Sequence, residues 1–389
     1  MLTQIINGRI LTPQGWLKDG SVLICDGKIL EVTNSDMAII GANVIDAKGM
    51  NIVPGFVSMH AHGGGGHDFT EATPEAFTTA VQTHLRHGST TVLPTLSSST
   101  FETIAKAVQT CEELMAIPGS AIAGLHIEGP YLSRKMGGTQ WGEFLKDPDP
   151  AEYTPLLEST SCIRRWDISP ELPGAHEFAR YTSGRGILTA LTHTEAEYEE
   201  VKAAFAAGFT HAAHFYNAMP GFHKRREYKY EGTVESVYLT DGMTVEVIAD
   251  GVHLPATILK LVYKLKGADN TCLVTDALKY AGYTGEPIND PRYIISDGVC
   301  KLADGISLAG SIATSDVLVQ TMYNKAEIPL EDAVRMASET PARILGLADR
   351  KGSLQKGKDA DIVILDKKAR VRCVFAGGNI VEGTNTMIH

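Results

Sequence analysis

The chain has 389 residues, of which 43% are hydrophobic and 21% are charged, and its net charge is −11. These proportions are typical of a globular protein with one large domain and a small companion. The acidic balance disfavours nucleic acid and anionic membranes as partners, because both need a basic surface. Six cysteines without a CxxC pair and the lack of an apolar run of about 20 residues predict a cytoplasmic protein with no membrane segment.

Both chain ends consist of short strand-like runs separated by tight turns. Asn7-Gly8 and Asp26-Gly27 are typical of hairpin turns, because both central residues of such turns need a positive φ. Neither end alone has enough apolar surface for a core. We therefore predict one small β-sandwich-like domain built from residues 1–50 and 346–389, beside a catalytic domain of residues 51–345.

Apolar strand-like runs alternate with helical patterns between the two ends. Most of the eight candidate strands are continuously apolar, as expected for a buried parallel sheet. The candidates are residues 51–59, 89–96, 121–128, 162–169, 186–193, 208–214, 243–250 and 270–276. Helical patterns follow several of them: Pro74–His87, Phe101–Met115, Glu195–Ala207 and Pro255–Lys266. Eight such units over about 250 residues predict an α/β fold, a (β/α)8 TIM barrel. A doubly wound sheet is less favoured because no GxGxxG turn follows the first strand.

Two connections are longer than ordinary loops. Residues 129–150 follow the third predicted strand, and residues 277–308 follow the eighth. Loops of this length on the catalytic face of a barrel are usually lids or substrate-binding elements. We therefore expect both to border the active site.

Histidines and a carboxylate fall at the predicted strand ends, where (β/α)8 enzymes have their active sites. His60 and His62 are two residues apart on a strand, so both imidazoles face the same side and can reach one metal ion. Glu128 closes an apolar strand, where a carboxylate is costly unless it meets a cation; a structural salt bridge is the alternative. His193 and His214 end the fifth and sixth strands. The sequence therefore predicts a metal site.

Two further features concern the reaction and the substrate. Asp276 ends the eighth predicted strand and could accept a proton from the attacking water and later donate one to a leaving amine. The basic run from His223 to Arg226 stands out in an acidic chain. It is either a solvated surface loop or a phosphate contact, because arginine pairs bidentately with phosphate oxygens.

Taken together and in this order, the motifs resemble the amidohydrolase superfamily and, within it, the N-acetylglucosamine-6-phosphate deacetylase family. The resemblance covers essentially the whole chain. The stretch from His214 to Pro220 is the most specific. The other motifs are Pro54-Gly55 leading to His60-x-His62, Leu125-His126-Ile127-Glu128-Gly129-Pro130, Thr192-His193, Asp250-Gly251-x-His253, Leu273-Val274-Thr275-Asp276-Ala277 and Leu308-Ala309-Gly310-Ser311.

The resemblance implies hydrolysis of the acetamide of N-acetyl-D-glucosamine 6-phosphate to D-glucosamine 6-phosphate and acetate, in amino-sugar catabolism. It implies one or two divalent ions, with Zn²⁺ expected. Glu128, His193 and His214 would hold the principal ion. His60 and His62, with Glu128 bridging, would hold a second. Asp276 would be the general base and then the acid.

The resemblance also implies a set of substrate contacts. The residues that match the family's substrate contacts are Gln140, Asn217, the Ala218 backbone and His253. An arginine of the basic run would reach the 6-phosphate, partly across a homodimer interface. Arg225 matches by its distance from His214, whereas Arg226 matches by the glutamate that follows it. Ser58 stands where the family often has an acidic residue.

Several alternatives remain open at this point. No lysine occurs between Lys146 and Lys202, which excludes designs that bridge two metals through a carbamylated lysine on the fourth strand. Deacetylation of N-acetylgalactosamine 6-phosphate, hydrolysis of another N-acyl amine and purine deamination stay as alternative reactions. An inactive binding or scaffold protein is the alternative outside catalysis, and the presence of every expected ligand and of Asp276 argues against it.

Overall fold

Eight parallel strands form the central sheet of the protein. The computed structural model describes residues 2–35, 39–140, 142–305 and 307–384. Each barrel strand pairs with the next one along the chain: Phe56–Ala61, Ser89–Leu96, Leu125–Glu128, Ile163–Ile168, Leu188–Leu191, Phe209–Ala212, Thr244–Ile248 and Thr271–Val274. The first and eighth strands meet where the amide of Asp276 donates to the carbonyl of His60 at 3.1 Å. The predicted (β/α)8 barrel is confirmed.

Helices surround the barrel: Pro74–Arg86, Phe101–Met115, Pro150–Ser159, Ala175–Ser183, Tyr198–Ala207, Thr233–Leu239, Ala256–Lys266, Ser315–Asn324, Leu330–Ala337 and Glu339–Ile344. The helix Pro74–Arg86 shows why they form. Thr73 caps it by accepting a hydrogen bond from the amide of Ala76 at 3.2 Å, and proline occupies its first position, where no amide is needed. Its buried face packs on the barrel. The four predicted helices are confirmed, with ends shifted by at most a few residues.

A second β-sheet joins the two ends of the chain. Its strands are Leu2–Thr12, Gly15–Cys25, Lys28–Thr33, Asn43–Asp46, Asn51–Pro54, Ile362–Leu365, Val371–Ala376 and Asn379–Ile380. The strand from Asn51 to Pro54 pairs with residues 9–10 on one side and 362–365 on the other, so the sheet extends past the predicted boundary at residue 50. The division into residues 1–50, 51–345 and 346–389 stays a prediction.

The two predicted hairpin turns differ in outcome. Asp26 and Gly27, with φ of 48° and 77°, form the turn between Cys25 and Lys28, as predicted. The prediction for Asn7-Gly8 was wrong, because the pair forms an irregularity inside the strand Leu2–Thr12. Asn7 has a φ of 57°, and bulges share this requirement with turns. The local sequence therefore fixes the backbone angle but not the chain reversal.

An ion cluster fastens the second sheet. Asp359 pairs with Lys28 at 2.5 Å and with Lys351 at 3.0 Å. Burial would raise the pKa of Asp359, but hydrogen bonds from the two lysines lower it from 3.8 to about 2. A depressed carboxyl pKa contributes stability above the unfolded value, and this contribution is lost as pH falls through the folded one.

We therefore expect Asp359→Asn to reduce the free energy of unfolding by about 1–2 kcal/mol at pH 6. The difference from wild type should shrink as the pH falls from 3.8 toward 2, the range set by the shifted pKa. Urea unfolding at a series of pH values would measure this. A difference that stays constant with pH would show that Asp359 acts only through packing.

Three segments extend from the carboxyl ends of the barrel strands. The first long connection runs from Gly129 to the helix that begins at Pro150, and the second carries the hairpin Tyr293–Ser296 with Val299–Leu302. A third hairpin, His223–Arg225 with Tyr228–Tyr230, follows the sixth barrel strand. Within the described parts of the chain, no helix combines the length and apolarity needed to cross a membrane.

Candidate active site

The barrel opens at its carboxyl end into a cavity of about 730 Å³. The predicted catalytic, metal-site and substrate-site residues that line it are Asp276, His62, Glu128, His193, His214, Gln140, Asn217, Ala218 and His253. His60 lies just beneath, fully buried. The barrel thus brings side chains from six strand ends to one place. The two long connections also contribute to the wall, as expected from their length.

Backbone bends direct three of these side chains toward the cavity. His193, His214 and Asp276 each lie two residues beyond the end of the fifth, sixth and eighth strands and have φ values of 45°, 27° and 47°. A positive φ is costly for residues other than glycine and is concentrated at functional sites. In each case the bend ends the strand and leaves the side chain at the mouth of the barrel.

Two clusters of donor atoms share the carboxylate of Glu128. Its Oε1 lies 3.0 Å from Nε2 of His214 and 3.3 Å from Nε2 of His193. Its Oε2 lies 3.3 Å from Nε2 of His62. Oδ1 of Asp276 is 3.2 Å from Nε2 of His62 and 3.5 Å from Nε2 of His60. Glu128 therefore connects a first cluster with His193 and His214 to a second cluster formed by His60, His62 and Asp276.

The opposite ring nitrogens make hydrogen bonds that orient three of the imidazoles. Nδ1 of His193 donates to the carbonyl of Met136 at 2.7 Å, and Nδ1 of His214 donates to the carbonyl of Asn217 at 3.1 Å. Nδ1 of His62 lies 3.0 Å from the hydroxyl of Ser97. A proton on Nδ1 leaves the lone pair of Nε2 free, which is the usual arrangement of metal-binding histidines.

The donor atoms fit a divalent ion. With ligand bonds of about 2.0–2.1 Å, tetrahedral coordination places ligand atoms roughly 3.3 Å apart. The contacts of Glu128 with His193 and His214 measure 3.3 and 3.0 Å. Imidazole nitrogens and carboxylate oxygens are ordinary ligands of Zn²⁺ and related transition metals. The first cluster can therefore hold one ion, and the second cluster offers a neighbouring position.

The charges inside the cavity are strongly coupled. Burial would raise the pKa of Glu128, but hydrogen bonds from His193, His214 and His62 hold it well below its usual range. Burial would lower the pKa of His214, yet the hydrogen bond to Glu128 raises it to about 9. Burial likewise opposes ionisation of Asp276, whereas His60 and His62 lower its pKa. Both carboxylates are thus held ionised at neutral pH.

The predicted substrate residues lie around this centre in fixed positions. Nε2 of Gln140 donates to Oε2 of Glu128 at 2.5 Å, and its Oε1 accepts from the amide of Ser98 at 2.8 Å. His253 pairs through Nδ1 with Asp250 at 2.7 Å. Asn217 and Ala218 lie in the turn that follows His214. These side chains and the Ala218 backbone therefore have few conformations to lose when a substrate binds.

The two predicted phosphate arginines are not part of the cavity wall in a single chain. Arg225 pairs with Glu197 and lies 4.8 Å from the ring of Tyr230, on the exposed hairpin after the sixth strand. Arg226, with a φ of 54°, occupies the turn of the same hairpin. Their role in phosphate binding stays a prediction.

Sequence reasoning missed two groups of polar and charged residues. Lys279, Arg292 and Tyr293, from the second long connection, line the cavity. Glu246 and Arg165 lie beneath the metal site, inside the barrel and fully buried. Glu246 is the one charged residue in the strand Thr244–Ile248, and this is the sequence feature that would have indicated it. Arg165 lies in the strand Ile163–Ile168 beside other charged residues and had no such signal.

Comparisons with known proteins agree with this site. Residues 51–381 match the amidohydrolase family. The chain belongs to this family. A divalent metal is the cofactor that the family implies, and the two donor clusters fit it.

Two relatives and one solved structure are similar over nearly the full length of the chain. N-acetylglucosamine-6-phosphate deacetylase of Haemophilus influenzae is 32% identical, covering 97% of this chain and 98% of the relative. N-acetylgalactosamine-6-phosphate deacetylase of Escherichia coli O157:H7 is 30% identical, with coverage of 98% and 100%. A mutant N-acetyl-D-glucosamine-6-phosphate deacetylase of Mycobacterium smegmatis, in complex with N-acetyl-D-glucosamine-6-phosphate, is 30% identical, with a TM-score of 0.89 and coverage of 98% and 99%.

Proposed function

We propose that the protein hydrolyses the acetamide of N-acetyl-D-glucosamine 6-phosphate to D-glucosamine 6-phosphate and acetate, in amino-sugar catabolism. The observation that carries the proposal is the cavity in which Glu128 joins two donor clusters, the second of which contains Asp276. Relatives with this activity match the chain from end to end. The arrangement provides both functions that amide hydrolysis needs, an ion site for the carbonyl and a group that moves a proton.

We assign the proton transfers to Asp276. A divalent ion held by Glu128, His193 and His214 would polarise the acetamide carbonyl and favour deprotonation of water. The Asp276 carboxylate accepts a proton as the water oxygen bonds to the carbonyl carbon. It then donates this proton to the nitrogen as the carbon–nitrogen bond breaks. The carboxylate of Asp276 is restored, and the second water proton, left on the acetic acid, passes to the amine, so that acetate and the ammonium form of the sugar are the products at neutral pH.

We propose Zn²⁺ as the resident metal and a cytoplasmic location. Each donor cluster offers two imidazoles and a carboxylate, which suit Zn²⁺ better than Mg²⁺ or Ca²⁺, because those two ions prefer oxygen ligands. All six cysteines are free, which suits a reducing compartment. Metal analysis of the purified protein, followed by chelation and return of single metals, would test the assignment. Recovery with Mg²⁺ alone would contradict it.

The substrate panel that tests the function contains both N-acetylhexosamine 6-phosphate epimers and their unphosphorylated forms. We expect the glucosamine compound to give the highest kcat/KM, and acetate rather than ammonia as the released product. The galactosamine epimer is the second candidate, because a relative that is 30% identical is named for it. A preference for this epimer would support the second candidate. Ammonia release without acetate would contradict both.

We further propose that the phosphate site is shared between two copies in a homodimer. Two large apolar side chains at the exposed hairpin are largely exposed in the single chain: Phe222 is 61% exposed and Tyr228 63%. A dimer that buries them would carry Arg225 or Arg226 toward the partner's cavity. There the arginine would join His253, whose position Asp250 fixes.

Arg225→Ala and Arg226→Ala separate the two arginines. Loss of the phosphate contact should raise KM tenfold to hundredfold, which corresponds to the energy of a hydrogen bond to a charged group. Only one of the two variants should show this increase. Lys224→Ala, in the same hairpin, is the matched control. Mixing the defective arginine variant with Asp276→Asn should restore activity, because a mixed dimer has one complete site. No recovery in a demonstrated mixed dimer would show that the arginine acts within its own chain.

A further inference from the structure

A chain of charged side chains crosses the barrel interior beneath the candidate metal centre. Arg165, on the fourth barrel strand, donates through Nε and a terminal nitrogen to Asp167 at 2.8 and 2.5 Å. Its terminal nitrogens also donate to Glu246, on the seventh strand, once at 2.9 Å to Oε1 and once to Oε2. All three residues have no exposed surface. The fourth and seventh strands are therefore joined through the barrel by one arginine.

Such a buried ionic group is not explained by stability alone. Removing charges from water costs several kcal/mol for each ion, and apolar residues of similar volume often give equal or greater stability. Here the interior contains two carboxylates and one guanidinium, close to a cavity that already concentrates charge. A role in the chemistry above is the more direct reason for the arrangement.

Glu246 contacts two of the proposed metal ligands from below. Its Oε1 accepts from Nδ1 of His60 at 2.6 Å and from the backbone amide of His214 at 3.1 Å. Its Oε2 lies 3.3 Å from Nε2 of His211. Glu246 does not line the cavity, so it has no route to the substrate. Its influence on the reaction has to pass through the histidines.

The hydrogen bond from His60 decides which nitrogen of that ring faces the metal centre. With the proton on Nδ1, the lone pair of Nε2 points to the second cluster, where Nε2 of His62 is 3.3 Å away and Oδ1 of Asp276 is 3.5 Å away. The other three ligand histidines obtain their orientation from Ser97 or from backbone carbonyls. His60 alone among the four depends on a buried carboxylate.

We infer that Glu246 is a positioning residue that fixes the tautomer and orientation of His60 and so sets the affinity of the cation position formed by His60 and His62. The inference rests on the proposed metal centre. Arg165 balances the charge of Glu246, and Asp167 holds the opposite edge of the guanidinium. The nearby set of His60, His126 and Asp167 is not a third ion position, because Arg165 already neutralises Asp167.

Titration of metal-free protein with Zn²⁺, in competition with a chelator of known affinity, tests the inference directly. Glu246→Gln should weaken one of two binding steps tenfold to hundredfold, the usual loss for an outer partner of a metal ligand, while the other step changes by less than about threefold. kcat should fall at limiting Zn²⁺ and recover in part at saturating Zn²⁺, with little change in KM.

Asp167→Asn is the matched control. Asp167 is as deeply buried as Glu246 and pairs with the same arginine. It contacts His126 at 3.1 Å rather than His60. Both variants should lower the melting temperature, but only Glu246→Gln should lower the affinity of one Zn²⁺ position. Equal effects on Zn²⁺ affinity, or no effect of either, would overturn the inference. A wild-type chain that takes up no ion would instead overturn the proposed metal centre.

A measurement on the unaltered protein covers the case in which Glu246→Gln does not fold. Nitrogen-15 NMR of labelled histidines distinguishes protonated from unprotonated ring nitrogens, and a His60→Gln spectrum assigns the His60 signals. We expect a protonated, hydrogen-bonded Nδ1 and an unprotonated Nε2 for His60 in the Zn²⁺-loaded protein. The reverse pattern would overturn the inference.

Discussion

Asp276→Asn is expected to lower kcat for acetate release about a thousandfold, within the range for loss of a general acid–base group. The amide keeps the size and one acceptor oxygen of the side chain, so substrate binding should change little. It cannot take a proton from water, and this loss affects the transition state rather than the ground state. Steady-state kinetics on the phosphorylated substrate, with the metal content measured in the same samples, would test the expectation.

Metal content has to be measured because Asp276 is also close to two proposed ligands, with Oδ1 3.2 Å from His62 and 3.5 Å from His60. Loss of activity together with loss of an ion would indicate a structural contribution to the metal site. Asp250→Asn is the matched control at another strand end. It should affect KM through His253, which Asp250 holds at 2.7 Å, far more than kcat. Near-wild-type turnover by Asp276→Asn would remove Asp276 from the mechanism.

The barrel could be predicted because each of its strands can be recognised from its own stretch of sequence. A strand buried on both faces is continuously apolar, and this property needs no knowledge of its neighbours. The Asn7-Gly8 turn failed for the opposite reason. Asn7 needs a positive φ in a bulge as much as in a turn, and only the pairing of Leu2–Thr12 with Gly15–Cys25 distinguishes the two.

The difference between local patterns and long-range pairing also separates the site residues that sequence reasoning identified from those that it missed. Parallel barrel strands all end at one rim, so residues such as Glu128 and His193 were expected to meet without knowledge of their distances. Glu246 and Arg165 lie on strands that are not adjacent in the sheet, and they meet through the interior. Their partnership depends on barrel closure and register, which no local pattern encodes.

Glu128→Gln is expected to reduce kcat/KM by at least a thousandfold and to remove the bound metal. The two oxygens of Glu128 serve both clusters, with Oε1 3.0 Å from His214 and Oε2 3.3 Å from His62. An amide presents one neutral oxygen, so it can neither bridge two ions nor offset their charge. Elemental analysis and Zn²⁺ titration would measure the loss of metal, and acetate release would measure activity.

Glu171→Gln is the control for this substitution. Glu171 follows the fourth barrel strand, but it accepts hydrogen bonds from the Thr194 hydroxyl at 2.5 Å and from the Glu195 amide at 3.1 Å, outside the cavity wall. A glutamine there keeps an acceptor oxygen, so metal content and kcat should stay within about threefold of wild type. If Glu128→Gln retained one ion and full activity, the catalytic ion would have to be held by His60, His62 and Asp276. Asp276 would then be a ligand rather than the proton carrier, and neither carboxylate would have the role proposed for it.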